Sequence, residues 1–157
     1  MTLNSIPSDA LGQTKPHRPW PLSARLFLSL GALSACLSVV FSAALAHLPV
    51  FAGGLPAMVQ TALTQHQFHS LGLLFTGLAL VVFRVSRWLL SAGWLMLVGL
   101  VLFSFNLYAR HVLGFDLLRA WVPWGGGAWI VAWLSLALGL ATARSAMETS
   151  PSSKLGS

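Results

Sequence analysis

The sequence predicts an all-α protein, an integral membrane antiparallel four-helix bundle, on three observations. The chain has 157 residues, 56% of them hydrophobic and only 8% charged, whereas a soluble domain carries about 25% charged residues. Its apolar residues fall into four runs, each near the ~20 residues needed to cross hydrocarbon. Its basic residues lie near the ends of those runs, unequally between the two sides. Together these describe one membrane domain, residues 25–143, and not a soluble core with an anchor.

Residues 1–24 are polar and proline-rich, with Pro7, Pro16, Pro19 and Pro21. No hydrophobic periodicity precedes Leu22, so a flexible cytoplasmic tail is expected. The first span is expected at about 25–47. It contains Ala44-Leu45-Ala46, which fits a small-x-small cleavage pattern. The run is longer than the ~7–15 apolar residues of a cleaved signal, and its polar leader is long, so an uncleaved span is expected. The second run begins amphipathically near Pro56, is fully apolar from Phe68 to Phe83, and is assigned a span at about 62–83. A very short connection with Arg84, Arg87 and Trp88 leads to the third span, about 88–110. The fourth is expected at about 121–143, followed by a flexible cytoplasmic tail, 144–157.

Orientation follows from counting. With four spans, the N-terminal tail, the second loop and the C-terminal tail share a side. That side holds Lys15, Arg18, Arg25, Arg84, Arg87, Arg144 and Lys154, against Arg110 and Arg119 on the other. The excess of basic residues marks the cytoplasmic side, so both termini are expected there. Trp20, Trp88, Trp121 and Trp124 fall near span ends, where indoles favour the interface. The net charge of +6 and pI near 11.3 have the same source. Basic residues scattered in this way do not form a nucleic-acid surface.

Several function classes are excluded or weakened. Cys36 is the single cysteine, so dithiol chemistry within the chain is excluded. The three acidic residues, Asp9, Asp116 and Glu148, all fall outside the expected spans. This counts against carboxylate-bridged metal enzymes and acid-dependent proton-coupled transporters. A histidine-based proton path survives.

Lipid gives helices no hydrophobic reason to associate, so packing depends on small residues and interhelical hydrogen bonds. The first span offers Gly31, Ala35, Ser38 and Ser42 along one face. The fourth offers Gly125, Gly126, Ala128, Ala132, Ser135 and Gly139.

Polar residues gather toward the outer ends of the spans. His47 closes the first span, Gln65, His66 and His69 open the second, and Asn106, Tyr108, Arg110 and His111 close the third. Pro123-Trp124-Gly125-Gly126-Gly127 opens the fourth. Gln65, His69, Gly72 and Thr76 share a helical face. His69 then lies roughly 5–10 Å to the outer side of its span's centre, at ~1.5 Å per residue. A neutral imidazole there needs a hydrogen-bond partner, and Asn106 or the Tyr108 hydroxyl is the expected one. Two readings of the cluster stay open. In one, the residues fix helix register and anchor the interface. In the other, His47, His66 and His69 help to bind haem, quinone or a metal. His66 and His69 could share one ion, with a further ligand from another helix. The sequence itself requires no cofactor.

Specific stretches carry a family resemblance over about Leu26–Ala143. These are Ser42-Ala43-Ala44-Leu45-Ala46-His47, Phe68-His69-Ser70-Leu71, Gly99-Leu100-Val101-Leu102-Phe103-Ser104 with Leu107-Tyr108, and Pro123-Trp124-Gly125-Gly126 with Trp133 beyond. The chain resembles the small four-span proteins of the bacterial YgdD type, related to mitochondrial transmembrane protein 256, a domain of unknown function. It departs from that pattern at Gln65, His66, Phe105, Asn106 and Ala132. His47 and His69 match, whereas His66 and His111 are peculiar to this chain. The resemblance implies residence in the bacterial inner (cytoplasmic) membrane and brings no established reaction with it.

The sequence therefore leads to a non-enzymatic accessory or stabilising subunit, within a larger membrane complex or a homo-oligomer embedded in the lipid bilayer. A haem-, quinone- or metal-binding protein using the outer histidines is the alternative, and a small-solute transporter stands third. No nucleic-acid partner is expected.

Overall fold

The computed structural model describes residues 19–143. The tails expected at 1–18 and 144–157 lie outside the described residues. The fold is all-helical, with no β-strand among the described residues. Helix α1 spans Leu22–His47 and α2 spans Ala57–Val82. Helix α3, Arg87–Gly99, runs through a π-helical segment, Leu100–Phe105, into α4, Asn106–Leu113. A 3₁₀ turn at Arg119–Trp121 leads into α5, Val122–Ala141.

Local chemistry explains the boundaries. Pro21 and Pro56 precede α1 and α2 with extended ψ values, and each has its carbonyl free to accept the first helical bonds. Arg25 N–H donates to Pro21, and Val59 and Gln60 donate to Pro56. The Ser86 hydroxyl caps α3 by accepting from Leu89 N–H at 3.2 Å. Gly114 ends α4 in the left-handed region, at φ 69°, where a side chain would be strained. Arg110 Nε meets Asp116 Oδ1 at 2.8 Å across the turn that follows.

Three helical stretches are long and apolar enough to cross a membrane: Leu22–His47, Arg87–Leu113 and Arg119–Ala141. Helix α2 is as long as α1, at 26 residues, but Gln60, Gln65, His66, Gln67 and His69 lower its hydropathy. Several of its polar side chains face inward. His66, His69, Ser70 and Thr76 are buried, while Phe68, Leu71, Phe75, Leu78 and Val82 form an exposed apolar stripe. A hydropathy average ignores which face a residue occupies, and α2 is the helix for which that matters.

Glycines set how closely the helices approach. A Cβ on Gly31 would lie 2.9 Å from Leu74 N, and one on Gly77 would lie 2.9 Å from Leu28 N. The two contacts run in opposite senses along α1 and α2, so these helices pack antiparallel with nearly touching backbones. On the other side, Gly139 meets Leu89, Gly99 lies under the Trp129 indole, and Gly125 meets the Phe103 backbone. These contacts pack α5 antiparallel to the α3–α4 stretch. Of the expected packing residues, Gly31, Ser38, Gly125, Ala132 and Gly139 are buried, and Ser42 is half-buried. Gly126 has ordinary room, because its Cβ would meet nothing nearer than Phe103 at 4.0 Å.

Two apolar clusters fill the interior. The larger joins Phe27, Leu73, Leu80, Leu89, Met96 and Trp129. The smaller, toward the end where α1 closes, joins Leu45, Phe51, Val59, Leu63, Leu107 and Tyr108. The backbone contact at Gly31 yields a sign test. Gly31→Ala should destabilise the protein by about 1–3 kcal/mol, because α2 must shift to admit one methyl group. Gly127→Ala, with nothing within 4 Å of the new Cβ, should be neutral or slightly stabilising. Thermal unfolding of both variants in one detergent reads the difference.

Candidate functional site

Helix α2 carries His66 and His69 less than one turn apart, yet they serve different neighbours. His66 is fully buried. Its Nε2 lies 3.0 Å from Ser34 Oγ on α1, and its Nδ1 lies 3.4 Å from the Tyr108 hydroxyl on α4. Ser34 Oγ is also 2.7 Å from Ser70 Oγ, and the Ser70 hydroxyl donates to the His66 carbonyl at 2.7 Å. Phe41 and Phe105 enclose the imidazole, with ring centroids 6.2 and 5.0 Å away.

Proton counting gives this network a single direction. The Ser70 proton is committed to a carbonyl, so Ser34 must donate to Ser70 Oγ. With its one proton so used, Ser34 can only accept from His66, which places the ring proton on Nε2. In a neutral imidazole Nδ1 is then bare and accepts from Tyr108. The resulting chain of bonds runs from Tyr108 to His66, Ser34, Ser70 and back to the His66 backbone.

His69 is in the opposite condition. Its Nδ1–H donates to the Gln65 carbonyl at 2.9 Å. Its ring stacks on Trp129 at 3.7 Å between centroids and 6° between planes. The Trp129 indole N–H donates to the Met96 carbonyl at 3.2 Å. Phe68 and Trp133 complete the surroundings, at 5.2 and 6.2 Å from the imidazole. With the proton on Nδ1, Nε2 carries a lone pair that no group donates to among the described residues.

The π-helical segment contributes to the surroundings of both histidines. Its wider turn accommodates an extra residue and re-aims the side chains that follow. The Ser104 hydroxyl donates to the Ala62 carbonyl of α2 at 3.0 Å. Phe103 turns toward Trp129, while Phe105 and Tyr108 turn toward His66.

Three expectations are corrected. Asn106 does not serve His69: its amide donates to the Leu102 and Leu118 carbonyls, at 3.1 and 2.6 Å, and ties α4 to the following loop. Tyr108 serves His66, because the π segment turns it that way. His47 is exposed at the end of α1 and makes no side-chain hydrogen bond to either buried histidine. The three imidazoles thus do not converge, and no group of three metal-ligating side chains occurs among the described residues. His66 and His69 cannot share an ion as arranged, because both His66 nitrogens are engaged. His111 hydrogen-bonds the Leu107 carbonyl of its own helix at 2.9 Å.

Two central residues escaped the sequence reading. Ser34 lies one turn before Ser38, a spacing that would have extended the small stripe to a third hydroxyl. Trp129 lies one turn after Gly125 and one turn before Trp133, a spacing that marks an inward aromatic.

An all-helical membrane protein whose buried polar groups pair with one another is the class that this fold and site define. The chain belongs to a family described as "Protein of unknown function (DUF423)", whose family model matches residues 41–126. It is similar to the UPF0382 membrane protein YwdK of Bacillus subtilis, 34% identical over 116 residues, which cover 71% of this chain and 93% of that relative. It is also similar to the UPF0382 membrane protein SERP0230 of Staphylococcus epidermidis, 34% identical over 123 residues, which cover 73% and 93%. A third relative, SAB0533 of Staphylococcus aureus, is 31% identical over 121 residues, covering 71% and 92%. No solved structure matches the chain.

The directed network predicts energetic coupling between α1 and α2. In a double-mutant cycle of Ser34→Ala and His66→Phe, the coupling energy should be ~0.5–2 kcal/mol. Pairing Ser34→Ala with His111→Phe should give a value near zero. Chemical unfolding in detergent micelles measures both.

Proposed function

We propose that this chain is a four-span antiparallel bundle of the bacterial cytoplasmic membrane, with both termini cytoplasmic. It acts as a non-enzymatic accessory or stabilising subunit of a larger membrane complex. The observation that carries the role is the closed Tyr108–His66–Ser34–Ser70 network. Its donors are spent on internal contacts, as in a device that sets helix register and not in a path for ions or solutes. The apolar stripe on α2 from Phe68 to Val82 supports a fourth crossing. The basic excess at the expected cytoplasmic ends supports the orientation. The aromatic-His-x-Leu element at Phe68–Leu71 and the Pro-x-Gly-Gly element at Pro123–Gly126 support kinship with the YgdD type.

Two measurements test this reading. Alkaline phosphatase fused after Gly53 or Phe115 should be active, and fused after Val85 or at the C-terminus it should be inactive. Activity after Val85 would remove the fourth crossing. Purification in native detergent should yield the chain in a stable complex with other membrane proteins. Recovery as a bare monomer after mild extraction would count against the accessory role.

A further inference from the structure

Among the described residues, every fully enclosed side-chain nitrogen and oxygen has a hydrogen-bond partner. His69 Nε2 has none, so it is not enclosed: although His69 is only 4% exposed, this atom reaches the surface of the chain. That surface is the seam where α2 faces α5, bordered by Phe68, which is 55% exposed, and by half-buried Trp133. Phe68 and Trp133 lie 5.4 Å apart between centroids and present π surface beside the imidazole. His69 sits at the middle of α2, between the inward Gln65 turn and the fully apolar half of the helix.

A bare imidazole nitrogen at that depth needs a donor, since hydrocarbon supplies none. If α2 crosses as proposed above, His69 lies within the hydrocarbon, where phospholipid headgroups and bulk water are not available to it. The donor must therefore be lipid-soluble and carry its own O–H or N–H. The ring stacking already present shows that the surroundings suit a flat aromatic body. A metal centre fits less well, because one imidazole supplies one ligand and both nitrogens of His66 are occupied.

We propose that the α2–α5 seam binds a quinol. A phenolic O–H donates to His69 Nε2, while the ring lies against Phe68 and Trp133. Trp129, held by its bond to Met96, fixes the imidazole plane, and the Gln65 carbonyl fixes the tautomer that leaves Nε2 bare. His69 is thus the selectivity element: it accepts and cannot donate, so it favours the reduced ring over the oxidised one. The proposal goes beyond the accessory role and does not need it, but it rests on α2 crossing the membrane, which the phosphatase fusion after Val85 tests separately from binding.

The test uses the full chain in lipid nanodiscs, titrated anaerobically with a short-chain ubiquinol, its oxidised quinone and its dimethyl ether. Binding is read by tryptophan quenching and by the ¹⁵N resonance of His69 Nε2. The quinol should bind saturably, about ten-fold tighter than the ether, which lacks the donor but keeps the ring; that is one hydrogen bond's worth. It should also shift the Nε2 resonance. His69→Phe should abolish the preference, and Trp133→Ala should weaken quinol and ether alike. Equal binding of all three compounds overturns the proposal, as does a preference that survives His69→Phe. So does an Nε2 already hydrogen-bonded without ligand in an oligomer that His69→Phe dissociates, which would make a second copy the donor. If His69→Phe does not fold, the quinol-against-ether comparison and the Nε2 shift in the unaltered protein still decide.

Discussion

Inside a bilayer every buried donor and acceptor must find a protein partner, because hydrocarbon offers none. Much of this structure follows from that constraint. Ser34, Ser38, Ser70, Thr76, Ser104 and Tyr108 spend their hydroxyl protons on carbonyls, on another hydroxyl or, for Tyr108, on an imidazole nitrogen. The bonds from Ser34 to His66 and Ser70 can form because Gly31 and Gly77 bring the α1 and α2 backbones nearly into contact. Glycine packing and polar pairing therefore act together. Without the glycines Ser34 would stand away from His66, and without the hydroxyls the glycine faces would have no defined register.

The second hairpin solves the same problem differently. Between α3 and α5 the close approach is made by Gly99, Gly125 and Gly139, but the gaps are filled by large rings, chiefly Trp129. Trp129 needs a partner for one N–H, which the Met96 carbonyl supplies at the turn before the π segment. The π segment follows directly and divides the rings, with Phe103 on the Trp129 side and Phe105 on the His66 side. One local irregularity thus serves two neighbourhoods, which is a physical reason for it to sit at that position.

The all-helical membrane class and the small-residue faces were legible because apolar run length and small-residue spacing are local properties. Gly31, Ser38, Ala132 and Gly139 are buried as that spacing suggests. The pairing of polar groups was much less legible. His66 and His69 are less than a turn apart, and sequence spacing cannot say that one faces α1 and α4 while the other faces Trp129. The π segment has no clear signature in Leu100–Phe105, an ordinary apolar run, yet it decides that Tyr108 serves His66 and not His69. Asn106 was misplaced for a related reason. The turn at Leu118 brings a carbonyl, which also accepts from Trp121 N–H, within reach of the Asn106 amide, and that placement is invisible until the loop is folded.

The two histidines of α2 separate structural from chemical roles within one helix. His66 accepts at one nitrogen and donates at the other, and its partners close on themselves, so it has no capacity left for a ligand. His69 donates to its own helix, rests flat on a tryptophan and leaves its second nitrogen open. A residue needed only for packing could equally be a phenylalanine in that stack, with no lone pair to satisfy. Placing an imidazole there carries a cost of about 1–3 kcal/mol for an unpaired buried acceptor, unless something supplies the proton. Since every enclosed polar side-chain atom among the described residues has a partner, the open nitrogen of His69 at the chain's surface is better understood as an incomplete hydrogen bond than as a packing accident.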